Sequence, residues 1–228
     1  MAVQDDSREQ ELCNLFNLVW DPDHARGGED AWFEAKVKGK ALRVPVEVKS
    51  TTNDTVSTAR DVGMEHIRKW RDKIWVIGYY AVKGGKPRLV STLCLTPAEM
   101  EPWIARVESY IKPDFEIGQR ASQKLTRADL IAICGDKPVY SLADAQRLYK
   151  KQWTVLEYRS AMDIEKGYSS ERMLSILQQR AEYLMSRGAT LNNPHVPKGF
   201  LSRFQDQLIM REHAARIRTK FVKYYAAR

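Results

Sequence analysis

DAWFEAKVKGKALRVPVEVK, residues 30–49, alternates apolar and polar positions on either side of Lys38-Gly39. Ala31, Phe33, Ala35 and Val37 form one apolar set, and Leu42, Val44, Val46 and Val48 the other. This period of two predicts a β-hairpin with one buried face. A tight turn at Lys38-Gly39 sets Ala31 against Val46, Phe33 against Val44 and Ala35 against Leu42. It also opposes Glu34 and Arg43, an ion pair of matched sign. A slip of one residue would turn every apolar side chain to the wrong face, so the register is self-consistent. The same register sets Asp30 across from Glu47. Lys49 shares the face of Glu47, because side chains two apart on a strand point the same way.

Working outward, Ser7 with Gln10 three residues on predicts a helix start, followed by Leu12, Leu15, Phe16 and Val19 at helical spacing. Pro22 predicts its end before Asp21. Ser50 to Thr58 reads as a polar loop. A helix is expected over Ala59–Lys73. Ile74 to Val82 is an almost continuous apolar run, expected as a buried strand. Gly84-Gly85 turns the chain into a strand over Arg88–Leu95. Thr96-Pro97 then opens a helix carrying Met100, Trp103, Ile104, Val107 and Ile111. Further helices are expected over Arg127–Cys134, Leu142–Lys150, Glu171–Arg187 and Phe200–Tyr225. The fold class is therefore α/β (α+β): a mixed central sheet flanked by helices, then a mostly helical C-terminal region.

The chain has 228 residues, 43% of them hydrophobic and 29% charged, enough to build a core. No apolar run is long enough for a membrane span, and the first residues lack the pattern of a secretory signal. Three widely spaced cysteines, Cys13, Cys94 and Cys134, resemble neither a disulfide framework nor a zinc motif. A soluble protein of a reducing, prokaryotic-type cytoplasm is expected. The formal net charge is +8, and it is unevenly spread. Residues 1–115 hold 17 lysines and arginines against 18 acidic residues, whereas residues 116–228 hold 20 against 11. Two regions are expected on this basis, 1–115 as a core and 116–228 as a basic, mostly helical region. A half-chain of that sign suits a polyanion, most commonly nucleic acid.

Asp30, Glu47 and Lys49 carry the chemistry. Two directly opposed carboxylates repel unless a positive charge lies between them. A magnesium ion does this with one or two carboxylates, completing its shell with water and phosphate oxygens. Lys49 adds a donor that can orient or deprotonate water, or stabilise charge on a phosphate. Asp30, a sixteen-residue gap and then Glu47-Val48-Lys49 resemble the PD-(D/E)xK nuclease superfamily. The flanking elements over residues 7–112 resemble the core of its type II restriction endonucleases. The resemblance implies Asp30 and Glu47 as Mg²⁺ ligands, the Val48 backbone carbonyl as a further ligand and Lys49 as the catalytic lysine. It also implies an added acid from the first helix, Glu9 or Glu11. The residue before Asp30 is Glu29 rather than proline. A literal Pro22-Asp23 lies beyond Gly27-Gly28, outside the paired strand.

A Mg²⁺-dependent, sequence-specific endonuclease of double-stranded DNA is the reading that follows, with a homodimer matching the two-fold symmetry of a palindromic site. Ser50 and Thr51 can hold a phosphate beside the metal. Arg68 and Lys69, Asn192, Asn193 and Lys198 of a polar loop, and Arg211 and Arg218 near the C-terminus are the DNA-contact candidates. Ordinary alternatives exist: a solvated face for the basic residues, helix-terminus charge for Glu9 and Glu11, a turn role for Ser50 and Thr51. Other functional readings are a structure-specific repair or junction-resolving nuclease, a non-catalytic DNA-binding protein of degenerate nuclease fold, or an RNA-binding module stacking bases on Trp32 and Tyr79. The histidines show no metal-ligand spacing.

Overall fold

A computed structural model describes residues 3–20, 28–58, 62–188 and 193–228. Pro22-Asp23, His24, Gly27 and Asn192 lie outside the described residues. The chain divides into two compact units, one of Met1–Glu108 with Asn192–Arg228, the other of Ser109–Leu191.

The first unit opens with α1 (Val3–Phe16), so Ser7 lies inside the helix and is not its cap. The helix also ends earlier than Pro22 implied. Asn17 adopts a left-handed φ of 53°, and the Leu18 N–H reaches back to the Cys13 carbonyl at 2.9 Å, a helix-ending pattern that suits asparagine. Val19, expected on the helix, instead pairs with Trp32 through two backbone hydrogen bonds of 2.8 and 2.9 Å.

The hairpin follows as β1 (Ala31–Val37) and β2 (Lys40–Thr51), antiparallel in the expected register from Ala31–Val46 through Ala35–Leu42. Lys38 and Gly39 both take positive φ at the turn. A short strand β3 (Val56–Ser57) leads to α2 (Met64–Asp72), which is shorter than expected; residues 59–61 are outside the described set. The apolar run forms β4 (Ile74–Lys83), parallel to β2. β5 (Lys86–Leu95) is antiparallel to β4. The sheet is thus mixed, in the order β1-β2-β4-β5.

Alternation along β2 and β4 gives the sheet two unlike faces. Val46, Val48, Ile74 and Val76 pack with Leu12, Cys13 and Phe16 of α1. Trp75 lies on the other face, its ring centroid 5.6 Å from those of both Trp70 in α2 and Trp103 in α3 (Pro97–Ser122). Gly78 lets α1 approach the sheet closely, since a Cβ there would meet the Leu12 side chain at 2.8 Å.

The end of the chain returns to this unit: β6 (His195–Val196) pairs with β3, followed by α8 (Lys198–Leu201), a 3-10 turn (Ser202–Gln207) and α9 (His213–Ala226). The single helix expected over 200–225 is therefore interrupted. Ile209 exchanges backbone hydrogen bonds with Thr92 of β5 at 2.8 and 2.9 Å, and Glu212 takes a left-handed φ of 55°. Ile217 and Phe221 of α9 belong to the core on the α1 side of the sheet. The compact units do not follow the boundary expected at residue 115. Residues 192–228, with eight lysines and arginines against two acidic residues, fold with the sheet and not with the preceding helices.

The second unit holds the end of α3 and four helices: α4 (Arg127–Cys134), α5 (Leu142–Leu148), α6 (Val155–Ser160) and α7 (Ser170–Gly188). Its core gathers Leu130, Tyr140, Leu148, Tyr158, Tyr168, Met173 and Ile176. The sequence reading missed α6, whose short length leaves little periodicity to read. Ser141 caps α5: its hydroxyl accepts the Asp144 N–H at 3.2 Å, while the Asp144 carboxylate accepts the Ser141 N–H at 2.9 Å and Lys137 at 2.8 Å. Ser141→Ala is expected to cost about 1 kcal/mol, read as a lower denaturant midpoint at unchanged slope. The three cysteines are free and buried. Among the described residues, no helix is long and apolar enough to cross a membrane.

Candidate functional site

The site forms where β1 ends and β2 continues. The ladder between them starts at Ala31–Val46, so beyond Val46 the edge of β2 has lost its partner. Asp30 takes over that role with its side chain. Its Oδ2 accepts the Val48 N–H at 2.9 Å and the Lys49 ammonium at 3.1 Å. Asp30 is thus not a ladder partner of Glu47 but a cap on the freed strand edge.

Glu47 is buried, with 5% of its surface exposed. A lone buried carboxylate is costly, so its partners are informative. Oε1 lies 2.9 Å from Lys49 Nζ, and Oε2 lies 2.7 Å from Lys73 Nζ. Lys73 in turn touches Glu29 Oε2 at 2.7 Å. Burial works to raise the Glu47 carboxyl, but the Lys49 and Lys73 charges outweigh it and hold the group down at about 2. Burial likewise works against the Lys49 ammonium, yet Glu47 and Asp30 raise it well above the ordinary lysine range. Lys73 is raised in the same way, by Glu47 and Glu29. Lys49 is therefore a cation at neutral pH. It can donate and it can stabilise negative charge, but it is not poised as a base.

Lys49 Nζ also donates to the Val48 carbonyl at 2.9 Å. One ammonium thus gathers Asp30 Oδ2, Glu47 Oε1 and Val48 O, the three oxygens expected to bind a metal. This ammonium is the positive charge that lies between the two carboxylates, at the place where the sequence reading expected a divalent cation. Three hard oxygens around one cationic centre fit the donor chemistry of magnesium, which takes a few protein oxygens and fills its shell with water and phosphate. Among the described residues, no three His, Cys, Asp or Glu side chains form a metal-holding group by themselves. The Val48 carbonyl is the third protein oxygen at this point.

Other sequence candidates separate. Glu11 accepts the Tyr80 hydroxyl at 2.9 Å, whereas Glu9 stands close enough for its charge to act on Lys49. Thr51 is buried, and its hydroxyl accepts the Asn53 N–H at 3.0 Å and donates to the Thr55 carbonyl at 2.7 Å, holding the loop that follows β2. Ser50 is half-buried on β2. Arg68 pairs with Glu65 on the surface at 2.6 Å, Lys69 is exposed on α2, and Lys198 pairs with Asp54 at 2.8 Å. Arg218 donates to the Glu34 carbonyl at 3.0 Å and lies over the Phe33 ring. Arg211 is exposed and Asn193 half-buried. Trp32, considered for base stacking, lies under Arg43 at 4.5 Å.

The sequence reading missed Lys73 and Glu29. Lys73 stands directly before the apolar run of β4, an unusual place for a lysine, but its partner is set by the parallel pairing of β2 and β4. Also unforeseen is a cleft of about 190 Å³ on the same sheet face, lined by Asp54, Tyr79, Ser91, Lys198, Ser202 and Gln205, among others. Tyr79 lies opposite Thr51 in the β2–β4 register, two residues along from Lys49.

Comparison of the chain with family models, curated proteins and solved structures found no match.

Proposed function

We propose that the chain is a Mg²⁺-dependent endonuclease of the PD-(D/E)xK type, with a restriction-endonuclease-like core, that hydrolyses phosphodiester bonds of double-stranded DNA at a specific sequence. The observation that carries this reading is the convergence of Asp30 Oδ2, Glu47 Oε1 and Val48 O on one cationic point within 3.1 Å. The order of elements supports it: an antiparallel hairpin delivers the acid–lysine set, and a crossover through α2 places a parallel strand beside it.

Asp30, Glu47 and the Val48 carbonyl hold the metal in this reading. Bound there, magnesium supplies Lewis acidity to a phosphoryl oxygen and lowers the pKa of the attacking water. Lys49, held positive, donates to the phosphate as negative charge builds on it. Lys73 keeps Glu47 ionised and fixed. The basic segment 193–228 would supply phosphate contacts in this reading, Arg211 and Lys198 among them. A homodimer acting on a palindrome in a prokaryotic-type cytoplasm completes the proposal.

The test is incubation of long, unmethylated duplex DNA with magnesium or chelator, with the wild-type chain and with Lys49→Ala. Discrete fragments that need magnesium and vanish in the variant are the expected outcome. Magnesium-dependent smearing lost in the variant would replace sequence specificity with a structure-directed or nonspecific nuclease. Tight DNA binding without any cleavage would overturn the enzyme reading.

A further inference from the structure

Glu47 gives each of its two oxygens to a different lysine, and the two lysines are held differently. Lys73 on Oε2 is fixed from both sides: it caps the end of α2, its side chain is 6% exposed, and Glu29 holds it at 2.7 Å. Lys49 on Oε1 stands at the open edge of β2, with a side chain 16% exposed. Its other two partners are Asp30 Oδ2 and Val48 O.

We infer that Lys49 is the site's built-in cation, and that a divalent metal binds only by displacing its ammonium from the three oxygens while Lys73 keeps Glu47 in place. This rests on the metal-site reading proposed above and adds how the site is guarded. The steric part is simple. The ammonium already fills the point where the three oxygens converge at 2.9–3.1 Å, and a metal would use those same oxygens at about 2.0–2.1 Å. The electrostatic part points the same way. Glu29, Asp30 and Glu47 stand within 3.1 Å of Lys49 and Lys73, and Glu9 adds a more distant negative charge that acts on Lys49. A dication added beside an unmoved Lys49 would set like charges in contact within this largely buried cluster. Released from the oxygens, the ammonium becomes a free donor. The lysine thus excludes the metal when bound to the oxygens and serves the phosphate when displaced from them.

The consequence is counterintuitive. The variant that loses cleavage should gain metal. Binding of Mn²⁺ alone, without DNA, is measured by the loss of the free-ion electron paramagnetic resonance signal, for the wild-type chain, Lys49→Met and Lys49→Arg. Lys49→Met keeps the apolar stem and removes the charge, and it should bind one Mn²⁺ at least about tenfold more tightly than wild type, a gain of the size one removed like charge gives in a partly buried site. Lys49→Arg keeps the charge and should bind no more tightly than wild type. Adding Asp30→Asn to Lys49→Met should abolish the gain. If Lys49→Met melts too low to use, Lys49→Gln takes its place.

Equal or weaker Mn²⁺ binding by the neutral variants overturns the inference, as does a gain that survives Asp30→Asn. Wild-type cleavage with no gain in Lys49→Met would overturn this inference and leave the nuclease standing. A gain in Lys49→Met beside a wild-type chain that never cuts DNA would support the inference and overturn the nuclease.

Discussion

Lys73→Met is expected to lower the stability of the sheet-bearing unit by about 3–5 kcal/mol, the usual cost of removing one partner from a buried ion pair. The side chain is 6% exposed and stands 2.7 Å from both Glu29 Oε2 and Glu47 Oε2. Its removal leaves Glu47 with one ammonium instead of two, and Glu29 facing an apolar stem. Glu47, with a side chain 6% exposed, cannot regain water without opening the edge of the sheet, whereas Glu29 is 20% exposed. The loss corresponds to roughly 10 °C in melting temperature for a chain of this size. Pairing the change with Glu29→Gln should return part of the loss, because the second substitution removes a charge that the first left uncompensated. Thermal melting of the two single variants and the double variant measures this coupling. Strict additivity would show that the Lys73–Glu29 contact has no energetic content.

Asp30→Asn is expected to reduce DNA cleavage by about 10³-fold or more, the scale of losing a group that holds charge in a reacting site. Stability should change by no more than about 1 kcal/mol, because the amide oxygen can still accept the Val48 N–H that Asp30 accepts at 2.9 Å. The substitution therefore separates charge from capping. Asp30→Ala removes both and should melt lower than Asp30→Asn. Cleavage rates on plasmid DNA, set beside the melting curves, check the pair. Undiminished cleavage by Asp30→Asn would remove Asp30 from the site.

The corrections have a common physical source. Local patterns report what a segment does with its own neighbours in sequence. They cannot report a partner supplied from far along the chain. Val19 has the spacing of a helix residue, yet it pairs with Trp32. The stretch from Phe200 has the spacing of one helix, yet Ile209 is drawn to Thr92 and the helix breaks. Arg218 reads as a DNA-contact cation near the C-terminus. In the fold, Lys220 donates to the Cys94 carbonyl at 2.7 Å and to Glu99 at 3.0 Å, and Arg218 to the Glu34 carbonyl.

What the sequence determined by itself is the hairpin, its register and the shared face of Glu47 and Lys49. Period-two alternation leaves one choice of buried face, and the turn at Lys38-Gly39 leaves one pairing. The apolar run before Gly84-Gly85 was legible as a buried strand because near-continuous β-branched and aromatic residues suit a strand covered on both faces. Only the tertiary structure decided that Asp30 caps the edge of β2, and that Lys73 and Glu29 join the acid–lysine set. It also decided that the basic C-terminal segment folds onto the sheet. Those outcomes depend on the parallel pairing of β2 with β4 and on where a strand edge runs out of partners. A buried charge or an unpaired backbone group must be satisfied by whatever the fold brings near, and no local pattern encodes that neighbour.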